Sequence, residues 1–154
     1  MGLLTRLTGT RYAAADTVRR PAEEVRAALL GLDGEPDVPF RVRAALPDER
    51  ADLVAECAVP RVGVRLRTRL RLVPDRHEVR FLDERWETRP SDGTGARYGR
   101  GHAPAVYRQW SREAGPDGRR RRVETFRFDT RELTDPLRDT VLGAGWTWRG
   151  VFRL

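Results

Sequence analysis

The clearest pattern along the chain is a two-residue alternation of apolar or Thr positions with arginines in the segment RVGVRLRTRLRLV. A period of two over so long a run predicts a β-strand with one buried face and one solvated face. Pro74 and Asp75 then predict a tight turn, and HEVRFLDERWETR predicts the returning strand. In a tight hairpin, Arg71 is expected to face Glu78 across the strand pair.

Two further hairpins are predicted on either side of this one. The segments VPFRVRAAL and ADLVAECAV both alternate, and the loop LPDER joins them. Downstream, PAVYRQWSRE and RRVETFRFD flank the turn sequence GPDG at residues 115–118. The three pairs together indicate an antiparallel meander.

Two amphipathic helices are predicted to bracket the strands. The first begins at Pro21, a residue favoured in the opening turn of a helix, and places Val25 and Leu29 on one side. The second lies near residues 131–142, with Gly143 as its C-terminal stop.

The C-terminal segment GWTWRGVFRL allows two interpretations. A closing strand would turn four apolar residues inward, namely Trp146, Trp148, Phe152 and Leu154. The alternative is a continuation of the preceding helix, against which three glycines argue. We favour the strand.

These elements predict one α+β domain over residues 1–154, with a curved, mostly antiparallel sheet of about seven or eight strands and a helix near each end. The expected shape is that of a helix-grip protein or half-barrel. Within this domain, disorder is expected for residues 1–10. The long glycine-rich segment 90–104 is expected to be a flexible loop that could serve as a lid.

Composition changes how the charge is interpreted. The chain has a net charge of +7 and a pI near 10.9, yet it contains no lysine, asparagine or isoleucine, so all its basic side chains other than histidine are arginines. A GC-rich genome explains this pattern, which weakens the usual inference from basic charge to nucleic acid. A single cysteine and no apparent leader or membrane span predict a cytoplasmic protein.

Several segments carry a resemblance to a known group of proteins. ADLVAE, LVPDRHEVRFLDERWE, FRFDTREL, PLRDTV and GWTWRGVFRL resemble the landmarks of a family of small uncharacterised proteins from GC-rich actinobacteria, over residues 38–154. That resemblance implies no activity. The opening ADTVRRPAEEVRAALLGL separately resembles the first strand and helix of START-like helix-grip proteins, in which a sheet and a C-terminal helix enclose an apolar pocket.

The alternating arginines, called here the arginine stripe, are the first candidate interface. The stripe comprises Arg65, Arg67, Arg69 and Arg71, spaced by about 6.6 Å on one face. A second basic cluster comprises Arg119, Arg120, Arg121 and Arg122. Together they could bind a polyanion or nucleic acid. The alternative is an ordinary solvated face, neutralised by glutamates on neighbouring strands and lacking interleaved aromatic residues.

The second candidate is a pocket on the buried side of the sheet. If the alternation continues past Phe81, Asp83 and Arg85 fall on the buried face, where charges must be paired or line a wet cavity. A bulge near Leu82 would instead turn Leu82 and Trp86 inward. The pocket interpretation gives the ligand-binding candidates Asp83, Arg85, Tyr107, Trp110, Trp146 and Trp148.

Catalytic chemistry has little support in the sequence. His77, His102, Ser91, Ser111 and Cys57 form no recognisable catalytic or metal-binding motif, and the glycine-rich loop does not match a dinucleotide-binding fingerprint. We therefore expect no catalytic residue, metal or cofactor. A Cys57/His77 pair is the one arrangement that could form a nucleophilic site.

The leading hypothesis is a non-catalytic cytoplasmic domain that binds a small apolar or amphipathic ligand between its sheet and its C-terminal helix. Polyanion or nucleic-acid binding through the arginines is the alternative, and an enzyme of unknown class comes third. The sequence leaves the oligomeric state open.

Overall fold

The computed structural model describes residues 2–88 and 97–154, which form three α-helices and eight β-strands. The helices are α1 (Leu3–Thr8), α2 (Ala22–Leu30) and α3 (Arg131–Gly143). The strands are β1 (Arg41–Ala44), β2 (Leu53–Val59), β3 (Val64–Val73), β4 (Glu78–Glu87), β5 (Arg97–Arg100), β6 (Val106–Ala114), β7 (Arg120–Asp129) and β8 (Thr147–Gly150). The α+β class and the mostly antiparallel pairing are as expected.

The strands form one six-stranded sheet and a separate two-stranded ribbon. In the sheet the order is β1-β2-β3-β4-β5, with β8 pairing to β4 as well. Strands β8 and β5 share the same edge of β4: β8 runs parallel to Glu78–Phe81, and β5 runs antiparallel to Glu84–Glu87. The ribbon consists of β6 and β7. All three predicted hairpins are present, whereas the parallel β8 pairing was not anticipated.

The turn between β3 and β4 is longer than predicted, so the two strands pair in a different register from the predicted one. Pro74–Arg76 form a single 3₁₀ turn, and His77 closes it with φ of 48°, in the left-handed region. The loop therefore takes four residues, so Val73 lies opposite Glu78 and Arg71 lies opposite Arg80. The predicted Arg71/Glu78 pairing is wrong, but a shift of two residues leaves every side chain on its predicted face.

The pairing of β3 with β4 is continuous, so the predicted bulge near Leu82 is absent. Asp83 lies opposite Thr68 and Arg85 opposite Leu66, on the same face as Phe81. We call this face, which packs against the helices, the inner face. Leu82 is nevertheless buried, on the opposite or outer face, where it pairs with Arg69.

The core lies between the inner face and helices α2 and α3. Helix α2 contributes Val25 and Leu29, four residues apart and therefore on one side of the helix. Helix α3 buries its predicted apolar positions in the same way, at Leu133, Leu137 and Val141. On the sheet side, the rings of Phe81 and Trp148 stack with centroids 4.1 Å apart.

The C-terminal segment is a strand, which resolves the choice between strand and helix. Trp146 and Trp148 are buried as predicted, whereas Phe152 is 58% exposed and the prediction for it is wrong. The N-terminal residues approach this strand closely, because a Cβ at Gly150 would lie 1.7 Å from the Thr8 carbonyl oxygen. Residues 3–8, for which disorder was expected, form α1.

Part of the predicted glycine-rich loop, residues 97–100, is a strand. Residues 90–96 of that prediction lie outside the described residues. Arg97–Arg100 form strand β5, because their backbone pairs with the edge of β4.

Candidate functional site

A cavity of about 130 Å³ lies on the inner face, beyond the apolar core. Its floor is the β3–β4 pair at Leu66, Thr68, Asp83 and Arg85, and its walls are the segment Gly99–Pro104 and the first turns of α3, including Thr130, Leu133 and Thr134. Two of the six predicted pocket residues, Asp83 and Arg85, therefore line it.

Asp83 is held by two neighbours. The Thr68 hydroxyl, which is fully buried, donates a hydrogen bond of 2.7 Å to Asp83 Oδ1. His102 Nδ1 lies 3.5 Å from Asp83 Oδ2, an ion pair whenever the imidazole is protonated. Thr68 thus binds one carboxylate oxygen, and the other, which His102 approaches at a longer distance, has two lone pairs and so retains capacity for a further hydrogen-bond donor.

His102 is positioned by packing on both sides. Its ring meets Phe81 edge to face, with centroids 6.1 Å apart. On the other side it lies against Gly9, where an added Cβ would come within 2.6 Å of the ring. Gly9 also has φ of 72° at the end of α1, so two independent constraints favour glycine there. The N-terminal segment thus helps to fix a residue of the cavity wall.

Arg85 belongs to a small polar network at the rim. Its Nε lies 3.1 Å from Glu87 Oε1, and the Tyr107 hydroxyl donates a 2.6 Å hydrogen bond to the same oxygen. Burial, together with this bond to Glu87, raises the pKa of Tyr107 to about 12. Tyr107 is therefore a neutral donor that keeps Glu87 in place, and Glu87 in turn orients Arg85.

The lining combines an apolar surface with a few directed polar groups. Leu66 and Leu133 supply the apolar part, and Asp83, Arg85 and His102 supply an acceptor and donors. Of the threonine hydroxyls, that of Thr68 is bound to Asp83 and that of Thr130 accepts from the Ala105 N–H. Such a lining suits recognition of a small amphipathic molecule.

The other aromatic candidates lie elsewhere. Trp146 is in the core, where its indole N–H donates to the Arg20 carbonyl. Trp148 stacks on Phe81 and borders a second, neighbouring depression. Trp110 is 41% exposed on β6. The structure thus brings Asp83 and Arg85 together with His102, which the sequence did not single out as a pocket residue.

The arginine stripe lies on the outer face and is largely paired. Arg67 and Arg69 both bind Glu84, with nitrogen–oxygen distances of 3.1 and 2.7 Å. Arg71 donates to the Arg50 carbonyl. These contacts support the interpretation of the stripe as a neutralised sheet face.

An aromatic side chain does interleave with the stripe, contrary to the sequence analysis. Trp86 projects from β4 to the same face, and the guanidinium carbons of Arg65 and Arg67 lie 4.4 and 5.0 Å from its ring centroid. The cross-strand register, which pairs Arg65 with Trp86, creates this contact. The Trp86 ring thus makes cation–π contacts with two arginines of the protein itself.

The second basic cluster, Arg119–Arg122, lies at the end of the β6–β7 ribbon and is exposed. Arg121 forms an ion pair of 3.4 Å with Asp117. Arg122 lies over Trp110, with its guanidinium carbon 4.6 Å from the ring centroid.

The structure separates the two members of the Cys57/His77 pair. Cys57 lies opposite Leu66 of β3, whereas His77 closes the turn beyond Val73, the last residue of that strand. The seven residue steps from Leu66 to Val73 span about 23 Å along the strand. Burial raises the pKa of the Cys57 thiol, which makes it a poorer nucleophile. Ser111 lies on the ribbon, and its hydroxyl is 3.4 Å from Glu113. Ser91 lies outside the described residues.

Within residues 2–88 and 97–154, no group of three or more His, Cys, Asp or Glu side chains could hold a metal ion. None of the helices in that part of the chain has the length and apolar character needed to cross a membrane. Comparison with protein-family models, with curated proteins and with solved structures finds no match to this chain.

Proposed function

We propose that the protein binds a small amphipathic molecule in the inner-face cavity, without chemical conversion. The observation that carries this proposal is the position of Asp83 and Arg85. Both occupy the core-facing side of a central strand, yet both border open space.

The cost of placing charges there supports a role in recognition. A charged side chain on a core-facing position loses hydration that only pairing or a wet cavity can replace. Apolar residues at positions 83 and 85 would suit the alternating pattern of β4 equally well. Thr68 and His102 compensate Asp83 in part, and Glu87 compensates Arg85. Polar groups of a ligand would supply the remaining contacts of the carboxylate and the guanidinium.

The size of the cavity limits the ligand. An apolar cavity of about 150 Å³ accommodates benzene, so a volume of about 130 Å³ suits a molecule of similar size. Its apolar part would contact Leu66 and Leu133, and its polar end would donate to Asp83 or accept from Arg85. Enclosure between a sheet and the C-terminal helix is also what a START-like helix-grip architecture would provide.

Gly99 offers a way to fill the cavity without disturbing the fold. It pairs with Arg85, so a side chain there would point to the inner face, and an added Cβ would meet nothing within 4 Å. Gly143, at the end of α3, is exposed and equally free of neighbours, but it does not line the cavity. Gly99→Leu and Gly143→Leu therefore form a matched pair.

The test is native mass spectrometry of the wild type and both variants, purified from the natural host, each beside a denatured control. We expect a small mass on the wild type and on Gly143→Leu that denaturation releases, and its absence from Gly99→Leu. A wild type that carries no such mass, or a mass that Gly99→Leu retains, would contradict the proposal.

A further inference from the structure

The outer part of the β6–β7 ribbon, residues 110–124, is exposed on both of its faces; we call it the distal ribbon. The inner part of the ribbon packs on the body of the protein. There Phe128 is buried, and the Arg61 guanidinium carbon lies 4.9 Å from the ring centroid of Phe126. The distal ribbon therefore projects from a fixed base.

One face of the distal ribbon concentrates arginines around a tryptophan. Beyond Trp110, toward the tip of the ribbon, the register places Arg112 opposite Arg122 and Ala114 opposite Arg120. Because side chains two residues apart share a face, Trp110 and these three arginines project to the same side, together with Glu124, which lies opposite Trp110. The Arg122 guanidinium covers part of the Trp110 ring.

These arginines lack a carboxylate of the kind that pairs the two central arginines of the arginine stripe. Among the described residues, no ion pair joins an Asp or Glu to Arg112, Arg119, Arg120 or Arg122, whereas Arg67 and Arg69 share Glu84. Like charges directly opposite each other on neighbouring strands, as at Arg112 and Arg122, destabilise the pairing. An external anion would relieve that repulsion.

We propose that the distal ribbon is a DNA-binding arm that lies in the groove of a duplex. A two-stranded β-ribbon fits the major groove of B-DNA, which is about 12 Å wide. Arginines on a projecting ribbon reach phosphates on the groove walls, and those contacts supply most of the sequence-independent affinity. The proposal concerns a different surface from the cavity and does not depend on ligand binding there.

Codon usage explains why basic positions are arginine, but it does not explain where carboxylates are missing. On the outer face of the sheet, Glu49, Glu56 and Glu84 neutralise the arginines around them. The distal ribbon carries five arginines and three carboxylates, and two of those carboxylates are within ion-pair distance of Arg121 and Arg108. Four of the five arginines of the distal ribbon therefore have no carboxylate within ion-pair distance in the part of the chain that the structure describes.

The test measures binding of a fluorescently labelled 20-base-pair duplex by anisotropy at graded NaCl concentrations. Four phosphate contacts predict a slope of log K against log[salt] of about −3.6. Arg112→Glu/Arg122→Glu is expected to weaken binding at least tenfold and to reduce the magnitude of the slope by about 2. Arg76→Glu/Arg153→Glu changes the net charge equally at exposed sites elsewhere and is expected to leave the slope unchanged.

Circular dichroism and melting curves establish that each variant is folded, and Arg112→Gln/Arg122→Gln provides a milder version of the change. Absence of duplex binding at low salt would overturn the proposal. So would equal weakening by both charge-reversal pairs, because the affinity would then reflect net charge alone. Tighter binding to single-stranded DNA or to phosphatidylglycerol vesicles than to the duplex would also overturn it.

Discussion

The two ends of the inner face differ sharply, although strands β3 and β4 run through both. At the β8 end, Phe81 and Trp148 stack and fill the space beneath the helices. Two residues further along β4, the chain places Asp83, and then Arg85, at the edge of a cavity. The alternation of β4 is uninterrupted between the two ends. What changes is the chemistry of the side chains, the depth of their cover and the neighbouring strand, which is β8 at one end and β5 at the other.

This difference shows how one sheet can separate stability from binding. Removal of apolar surface from water stabilises the filled end. The open end has a cavity and polar groups that are held in place by Thr68, Phe81 and Glu87. Substitutions at the first end should therefore change stability alone. Those at the second end should change binding, and also stability where they leave a buried polar group without its partner.

The largest effect is expected from Trp148→Ala at the filled end. Loss of a large buried aromatic side chain costs about 3–5 kcal/mol in the free energy of unfolding. The matched control is Trp110→Ala on the exposed ribbon, where we expect a loss below about 1 kcal/mol. Urea denaturation measures both. Similar losses for the two variants would mean that the filled end contributes no special stability.

At the open end, Asp83→Leu should destabilise the protein by about 1–3 kcal/mol, because the buried Thr68 hydroxyl loses its acceptor. If the polar pair is kept for binding, replacing both partners should restore much of this loss. Thr68→Val/Asp83→Leu is therefore expected to unfold at a higher urea concentration than Asp83→Leu alone. A double variant no more stable than the single one would show that the pair has a structural role.

On the outer face, charged side chains stabilise the fold, and the stability of the protein should therefore fall at low pH. The Arg43 guanidinium and the Leu46 N–H lower the pKa of Glu49 to about 2, from an ordinary value of 4.5. Because the folded pKa lies below the unfolded one, this stabilisation is complete above about pH 4.5 and is lost as the pH falls through 2. Glu49→Gln should be about 1 kcal/mol less stable at pH 6.

That stability difference between Glu49→Gln and the wild type should shrink at pH 2.5. Urea denaturation at the two pH values measures it, with the exposed Glu35→Gln as the control for a lost negative charge. A difference that stays constant from pH 6 to pH 2.5 would contradict the assignment of the acid-sensitive contribution to Glu49.

Local patterns predicted the elements that short-range chemistry determines. The three hairpins, helices α2 and α3 and the closing strand all follow from alternation, helical spacing and turn residues. The β3–β4 register did not, because it depends on His77 adopting a left-handed conformation that glycine usually takes. The turn before β3 has the same form: a 3₁₀ turn begins at Pro60 and ends in the left-handed residue Gly63. Its likeness to the Pro74–His77 segment could have indicated a four-residue loop between β3 and β4.

Long-range contacts account for what the sequence did not reveal about the cavity. Alternation placed Asp83 and Arg85 on the inner face, but the wall formed by His102 and by Thr130 and Leu133 depends on how α3 and the β5 segment pack over the sheet. The parallel pairing of β8 with β4 is equally non-local. None of these contacts leaves a periodic signal in the chain.

The most direct test of the contrast between the two ends is a ¹H–¹⁵N NMR titration with three probes of about benzene size, namely phenol, benzylamine and benzoate. We expect at least one probe to shift the amide signals of Gly99–His102 saturably, to leave those of Trp146 and Trp148 in place, and to bind Gly99→Leu at least tenfold more weakly than Gly143→Leu. If no probe shifts the Gly99–His102 signals, or if Gly99→Leu responds like Gly143→Leu, the open end is not a binding site.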